Sequence, residues 1–378
     1  MTKENGKENT EIKENKPKKS KLARILDVAW RFVAATLAVL VLSFVGLRSV
    51  IYLTTQITTE NGIDEGAYIP IGGLEQYVLI RGENTNNPVI IWLHGGPANP
   101  DTYMSYTFSN HLVDNYTVVV WDQRGCGRTY YHNKDIDPEN QTATFEQSEK
   151  DLDELVNYIR GRFGKDKVIL VGHSYGTVLG IKYVKDHSDK VSAYVGVGQF
   201  INSDCELISY EDALRIAKEK GKSTVKLEKA YEKYKSDKTV RNLIELRTET
   251  AKYHKAKKKA NTFWIGLASP YMSWGDFRWV LMQNGDLKQY FELNSQMFDY
   301  LLNVDVRDFG SEYGIPVGFI SGSSDWVTPV KCTEEYYDGI TAPKKDYKLI
   351  DGCGHSPQID QPEEFGIMLE EMLASFLN

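Results

Sequence analysis

The stretch that decides the fold is Lys167 to Gly180, KVILVGHSYGTVLG. An apolar run, Val168 to Val171, meets the pentapeptide Gly172-His173-Ser174-Tyr175-Gly176, and a second apolar run, Val178 to Ile181, follows almost at once. That pattern predicts a strand, a sharp turn and a helix. A serine at such a turn sits on a strained backbone above the end of a sheet, and flanking glycines let strand and helix approach each other. The hydroxyl of Ser174 is therefore expected to face a pocket. G-x-S-x-G alone also fits an ordinary glycine-bearing loop, so the rest of the chain must supply the partners.

Outward from this stretch, strands alternate with helices. Ala67 to Ile71 and Gln76 to Arg81 read as early strands around a Gly72-Gly73 turn, and Pro88 to Leu93 as a buried one. Tyr116 to Trp121, Val191 to Val197, Pro316 to Ile320 and Tyr347 to Ile350 continue the series. Phe145 to Phe163 has Leu152, Leu155, Val156 and Ile159 at helical spacing, and Pro362 to Leu377 reads as a closing helix. Such alternation predicts an α/β fold with a mainly parallel, doubly wound sheet, which binds ligands beyond the carboxyl ends of its strands. Between 202 and 305 the alternation gives way to helical sequence, first rich in Lys and Glu, then in aromatics from Phe263 to Tyr300. This segment is expected to form an inserted helical cap. Its aromatics suit either a lid over the site or the insertion's own core. The basic run from Ala213 to Ala260 reads as a solvated helix face, with attraction to an anionic membrane as the alternative. The core is expected over 64–201 and 306–378.

The N-terminal region has a different character. Residues 1–24 are polar, rich in Lys, Glu and Asn, and are expected to be a disordered tail because they have too little apolar surface to offset chain entropy. Phe32 to Leu47 runs sixteen residues without a charge between Arg31 and Arg48. Ala29 to Leu53 reaches the ~20 residues a span needs, its arginines snorkelling to the interfaces. An uncleaved anchor over 25–54 is expected rather than a signal peptide, since no clear small-residue cleavage site follows. Lys16, Lys18, Lys19, Lys21 and Arg24 precede it and no Lys or Arg follows Arg48 until Arg81. The charge bias puts the tail in the cytoplasm and the remainder outside.

Composition narrows the function. A net charge of −7 argues against nucleic acid as a partner. Cys126, Cys205, Cys332 and Cys353 have no metal-ligand spacing and are expected to be free buried thiols. No metal or organic cofactor is implied. Serine needs a base, and the base an orienting carboxylate. Ser174, Asp325 and His355 each follow a predicted strand and occur in the order expected of a nucleophile elbow. Asp305 or Asp308 are the competing acids, and His187 or His254 the competing bases. Backbone N–H groups of Gly96 and Tyr175 are the candidate oxyanion donors. His94 is expected to brace its loop and Pro97 to fix its exit; His173 is expected to pack or bond structurally, and Asp122 with Arg124 to form an internal brace.

With His94 to Pro97 (HGGP), Asp122 to Arg128 (DQRGCGR), the Ser174 loop and the Asp325 and His355 loops in hand, the chain resembles the α/β-hydrolase superfamily over roughly 64–378. More narrowly it resembles the proline iminopeptidase (prolyl aminopeptidase) family of serine peptidases. Its loop departs from the family's usual G-G-S-W-G, which leaves the triad intact but not the substrate. The resemblance implies release of an N-terminal residue, such as proline, from a short peptide through an acyl-enzyme, and acidic cap residues that hold the free amino group. Glu206, with Asp204 second, is the candidate, against an ordinary helix-start carboxylate. An esterase, lipase or lactonase with the same triad, and a non-catalytic binding module of this fold, are the alternatives.

Overall fold

A computed structural model describes residues 20–378, so the expected polar tail lies outside the described residues up to position 19. The described chain begins with helix α1, Lys21–Thr55, four residues earlier and one later than the expected span. By length and composition α1 is apolar enough to cross a membrane, and its apolar side chains are exposed. The chain divides into a unit ending at Val50 and a compact unit, Ile51–Asn378.

The second unit is built on strands β1 (Ile63–Ile71), β2 (Leu74–Gly82), β3 (Val89–Leu93), β4 (Thr117–Trp121), β5 (Val168–His173), β6 (Val191–Val197), β7 (Val317–Gly322) and β8 (Lys345–Ile350). They form one eight-stranded sheet in the order β1-β2-β4-β3-β5-β6-β7-β8. β1, β2 and β4 pair antiparallel and the remaining neighbours parallel. The two early strands thus form an antiparallel edge on a parallel sheet. In β3, β4 and β5 every residue is buried, because helices cover both faces, and the continuous Val/Ile/Leu runs are the sequence form of that environment.

Helix α2 (Phe145–Phe163) starts where Thr144 accepts the Gln147 N–H and stops at Gly164 in the left-handed region (φ 61°). Its Leu152, Leu155, Val156 and Ile159 are fully buried against the sheet. Helix α3 (Tyr175–Asp186) follows β5 through one residue, Ser174. Between the core halves lie α4 (Glu206–Glu219), α5 (Val225–Ser236), α6 (Val240–Thr250), α7 (Thr262–Ala268), α8 (Trp274–Gly285), α9 (Leu287–Leu293) and α10 (Ser295–Asn303). Helices α11 (Val330–Gly339) and α12 (Pro362–Leu377) complete the core.

The cap's aromatics divide between the two expected roles. Trp279 and Tyr290 are buried with Ala98 and Tyr130, and they grip the loop after β3: Trp279 Nε1 donates to the Ala98 carbonyl at 2.9 Å and Tyr290 Oη to that of Pro97 at 2.6 Å. Phe263, Trp264 and Trp274 are exposed. Arg128 joins the two parts again, its guanidinium paired with buried Asp276 at 2.7 Å.

Two expectations need correction. Cys205 and Cys332 form a disulfide between the cap entrance and α11, and only Cys126 and Cys353 are free buried thiols. Their separation of 127 residues hid the proximity. Arg124 does not pair with Asp122. It makes a two-pronged bond to Asp151 (2.7 and 2.9 Å), because α2 brings Asp151 under the loop, while Asp122 accepts from the Arg128 N–H at 3.1 Å and from the Thr102 hydroxyl. Both residues brace the loops, with different partners.

Candidate active site

Ser174 has φ 52° and ψ −118°, a strained conformation for a residue with a Cβ. It is held there from both sides: its N–H donates to the Val197 carbonyl at 3.0 Å, and its own carbonyl accepts the Thr177 N–H at 2.9 Å. The flanking glycines have a steric reason. A Cβ on Gly176 would stand 2.2 Å from the Leu93 carbonyl oxygen, and one on Gly172 would stand 2.5 Å from that of Gly176. Strand β3, strand β5 and helix α3 are therefore packed backbone to backbone around the serine.

The loops after β7 and β8 bring the other two groups. His355 Nε2 lies 2.8 Å from Ser174 Oγ, and His355 Nδ1 lies 2.9 Å from Asp325 Oδ2. Asp325 also accepts the Val327 and Thr328 N–H groups (2.8 and 3.0 Å) on Oδ1 and the Thr328 hydroxyl (2.8 Å) on Oδ2. Burial pushes its carboxyl up, but His355 and the two Thr328 donors outweigh burial and hold it below the usual carboxylate range. Asp325 is thus a fixed anion behind the imidazole.

His173 donates through Nε2 to the His355 backbone carbonyl at 2.9 Å, so the residue beside the serine positions the loop histidine. Burial, and then the neighbouring His355, lower its pKa to about 3, which keeps it neutral. His94 bonds the Gly95 carbonyl through Nδ1 at 2.9 Å and receives the Gln123 N–H on Nε2 at 3.3 Å; burial lowers its pKa to about 4. It ties the loops after β3 and β4 together. Gly96 has φ 120°, open to glycine, and a Cβ there would be 2.6 Å from the Ala98 nitrogen. A Cβ on the adjacent Gly95 would be 2.9 Å from that of Ser174, so this loop passes directly beside the serine. Tyr175 is the first residue of α3, its ring fully buried.

The competing residues are not brought to Ser174. Asp305 pairs with Arg307 and accepts from Asn202 Nδ2 at 2.7 Å, Asp308 is exposed, His187 faces Asp153 at 3.9 Å, and His254 bonds the Ser209 carbonyl at 3.2 Å.

A cavity of 690 Å³ opens beside the site, lined by Gly96, Asp101, His173, Arg247 and Ser356 together with apolar cap residues such as Phe291. Neither candidate for the amino group lines it. Glu206 is buried and engaged by Arg247 Nε at 2.9 Å and by Nη2; Asp204 is 75% exposed and paired with Lys238 at 2.6 Å. The carboxyl that does line the cavity is Asp101, whose Oδ2 accepts from Trp92 Nε1 at 3.0 Å. Burial, partly offset by that bond, raises its pKa to about 6. Asp101 lies four residues beyond the HGGP loop, a proximity that could have flagged it; nothing in the sequence pattern flags Arg247. Among the described residues no His/Cys/Asp/Glu cluster could hold a metal ion.

A parallel sheet with an antiparallel edge, an inserted helical cap and a serine on a strand-to-helix elbow defines a hydrolase class. The chain belongs to the alpha/beta hydrolase fold family, whose model matches residues 88–362. Among curated proteins it is similar to the probable aminopeptidase YbaC of Bacillus subtilis, 26% identical over 306 residues, 79% of this chain and 92% of that protein. It is also similar to the proline iminopeptidase of Lactobacillus delbrueckii subsp. lactis, 25% identical over 320 residues, 82% and 97% of the two chains. Among solved structures, the proline iminopeptidase of Mycobacterium smegmatis shares the fold with a TM-score of 0.57 at 18% identity, covering 82% of this chain and 98% of its own. The protein is accordingly an enzyme of the serine-hydrolase class.

Proposed function

We propose that the protein is a membrane-anchored serine aminopeptidase that releases the N-terminal residue of short peptides, proline among them, through an acyl-enzyme. The observation that carries this reading is the continuous hydrogen-bonded chain Ser174–His355–Asp325, in a chain whose curated relatives are named aminopeptidase and proline iminopeptidase. His355 Nε2 takes the Ser174 proton as Oγ attacks the scissile carbonyl, and returns it to the leaving amine; a water then repeats the sequence on the acyl-enzyme. Asp325 fixes the tautomer and stabilises the imidazolium. The Gly96 and Tyr175 N–H groups receive the developing oxyanion, a role supported by the close approach of the glycine loop to Ser174. Asp101 is the carboxyl we assign to the substrate's ammonium group, in place of Glu206 and Asp204, since a cation beside it favours the ionised form.

Helix α1 is the anchor in this reading, with the catalytic unit outside the cytoplasm. The basic residues preceding α1 support that orientation, and so does the Cys205–Cys332 disulfide, a bond that persists in oxidising compartments.

The test is turnover by the full chain in detergent, comparing prolyl and other aminoacyl arylamides with N-acylated arylamides and short-chain aryl esters, each beside Ser174→Ala. Preference for amides with a free amino group, lost in the variant, supports the aminopeptidase. Ester cleavage alone replaces it with an esterase, and turnover indifferent to Ser174→Ala or absent replaces it with a binding module.

A further inference from the structure

Among the described residues, one lysine or arginine lines the cavity beside Ser174: Arg247, on α6 of the cap. Two of its three nitrogens, Nε and Nη2, bond the same oxygen of Glu206. The third, Nη1, has no acceptor among the described residues, although a guanidinium carries five N–H donors in a rigid fork. The side chain is 21% exposed while Glu206 is 5% exposed, so the carboxylate is the buried partner and the guanidinium is the one that meets the cavity. Glu206 fixes the fork's orientation and leaves one edge unused.

From this geometry we infer that Arg247 is a carboxylate subsite of the active-site cavity, so that the enzyme prefers short peptides bearing a free carboxylate. The inference rests on the peptidase reading above and narrows it. The unused Nη1 edge offers charge-assisted N–H donors to a planar carboxylate, and the same lining carries the apolar side chains of Ile244, Phe291 and Phe298. Asp101 lies in the same lining with the opposite sign. An unblocked dipeptide or tripeptide, with an ammonium at one end and a carboxylate at the other, matches both charges. The carboxylate has two sources in a short peptide, the C terminus or an acidic first side chain.

The experiment is calorimetric binding to the full-length Ser174→Ala protein in detergent, which holds substrate without turning it over. The ligands are prolyl-alanine, its C-terminal amide, and the C-terminal amide of glutamyl-alanine. Prolyl-alanine should bind about tenfold or more tighter than its amide, the size of a charge-assisted hydrogen bond. In Ser174→Ala/Arg247→Gln that preference should shrink to about twofold or less, and Arg247→Lys should retain part of it. Should Arg247→Gln fail to fold by leaving Glu206 unpaired, Ser174→Ala/Glu206→Gln keeps the guanidinium and should hold or increase the preference. Tighter binding of the glutamyl amide than of the prolyl amide, dependent on Arg247, would assign the carboxylate to the acyl side instead of the C terminus. Equal binding of acid and amide, or a preference that survives Arg247→Gln, overturns the subsite and leaves the peptidase standing. Failure of all three peptides to bind folded protein at millimolar concentration overturns both.

Discussion

Replacing Asp325 by asparagine is the perturbation whose consequence the geometry specifies most fully. Oδ1 of Asp325 accepts two backbone N–H groups, from Val327 and Thr328, and Oδ2 faces the Thr328 hydroxyl and His355 Nδ1. An asparagine must keep its carbonyl oxygen on the two N–H donors, since the hydroxyl and the imidazole can reverse their roles and a backbone amide cannot. Its NH₂ therefore falls at the Oδ2 position and donates to His355 Nδ1. The ring proton is then carried on Nε2, pointing at Ser174 Oγ, and the serine loses its acceptor. The two backbone donors keep their acceptor and the Thr328 hydroxyl turns to accept from the new NH₂, so the fold should be largely unaffected while kcat falls by about 10⁴, equivalent to about 5.4 kcal/mol of transition-state stabilisation. Hydrolysis of the best arylamide or ester by wild-type and Asp325→Asn protein, with matched thermal melts, measures it. Activity within about tenfold of wild type would show that Asp325 does not set the tautomer, and the catalytic assignment of this loop would be withdrawn.

Other predictions follow from single contacts. His173 is neutral in the fold with its pKa near 3 against about 6.5 in the unfolded chain, so the unfolded state binds the extra proton and the fold loses stability as pH drops below about 6.5. His173→Gln, which can still donate to the His355 carbonyl, should gain on wild type by about 3 kcal/mol between pH 6.5 and 4; a difference independent of pH in urea titrations would contradict this. The Cys205–Cys332 bond closes a 127-residue separation, and removing it through paired serine substitutions should cost up to about 5 kcal/mol on the loop-entropy model. An unchanged denaturant midpoint in the double variant would mean the bond contributes nothing to stability. Gly176→Ala should abolish activity and lower stability, because its Cβ would meet the Leu93 carbonyl at 2.2 Å, which is backbone and cannot step aside; normal turnover would refute the packing argument. Membranes carrying the full chain should retain it through an alkaline wash, and release by that wash would remove α1 as an anchor.

How much of this was legible in the sequence depended on whether the information was local. Strand β5, its turn and α3 are adjacent in the chain, so Lys167 to Gly180 encodes their geometry directly, and the loops of Asp325 and His355 announce themselves as polar residues just past apolar strands. The parallel sheet follows from the alternation of apolar strands with helices along the chain. Pairings across the cap did not. Glu206 and Arg247 are 41 positions apart on helices whose relative rotation the periodicity leaves undefined, so a carboxylate read as a free substrate anchor proved to be half of an ion pair. The same limit hid the partner of Arg124 and the disulfide. The place of His173 beside the serine points to a structural role, but its bond to the His355 carbonyl depends on where the β8 loop folds.

The central claim is that Ser174 is the nucleophile, and covalent labelling tests it most directly. Full-length protein in detergent would be treated with a fluorophosphonate and examined by intact-mass and peptide mass spectrometry. One adduct per chain on the peptide containing Ser174, absent in Ser174→Ala and strongly slowed in His355→Ala, is the result expected of the hydrogen-bonded chain Ser174–His355–Asp325. Treated protein that takes no adduct yet stays hydrolytically active, or an adduct on another residue that abolishes turnover, would contradict it.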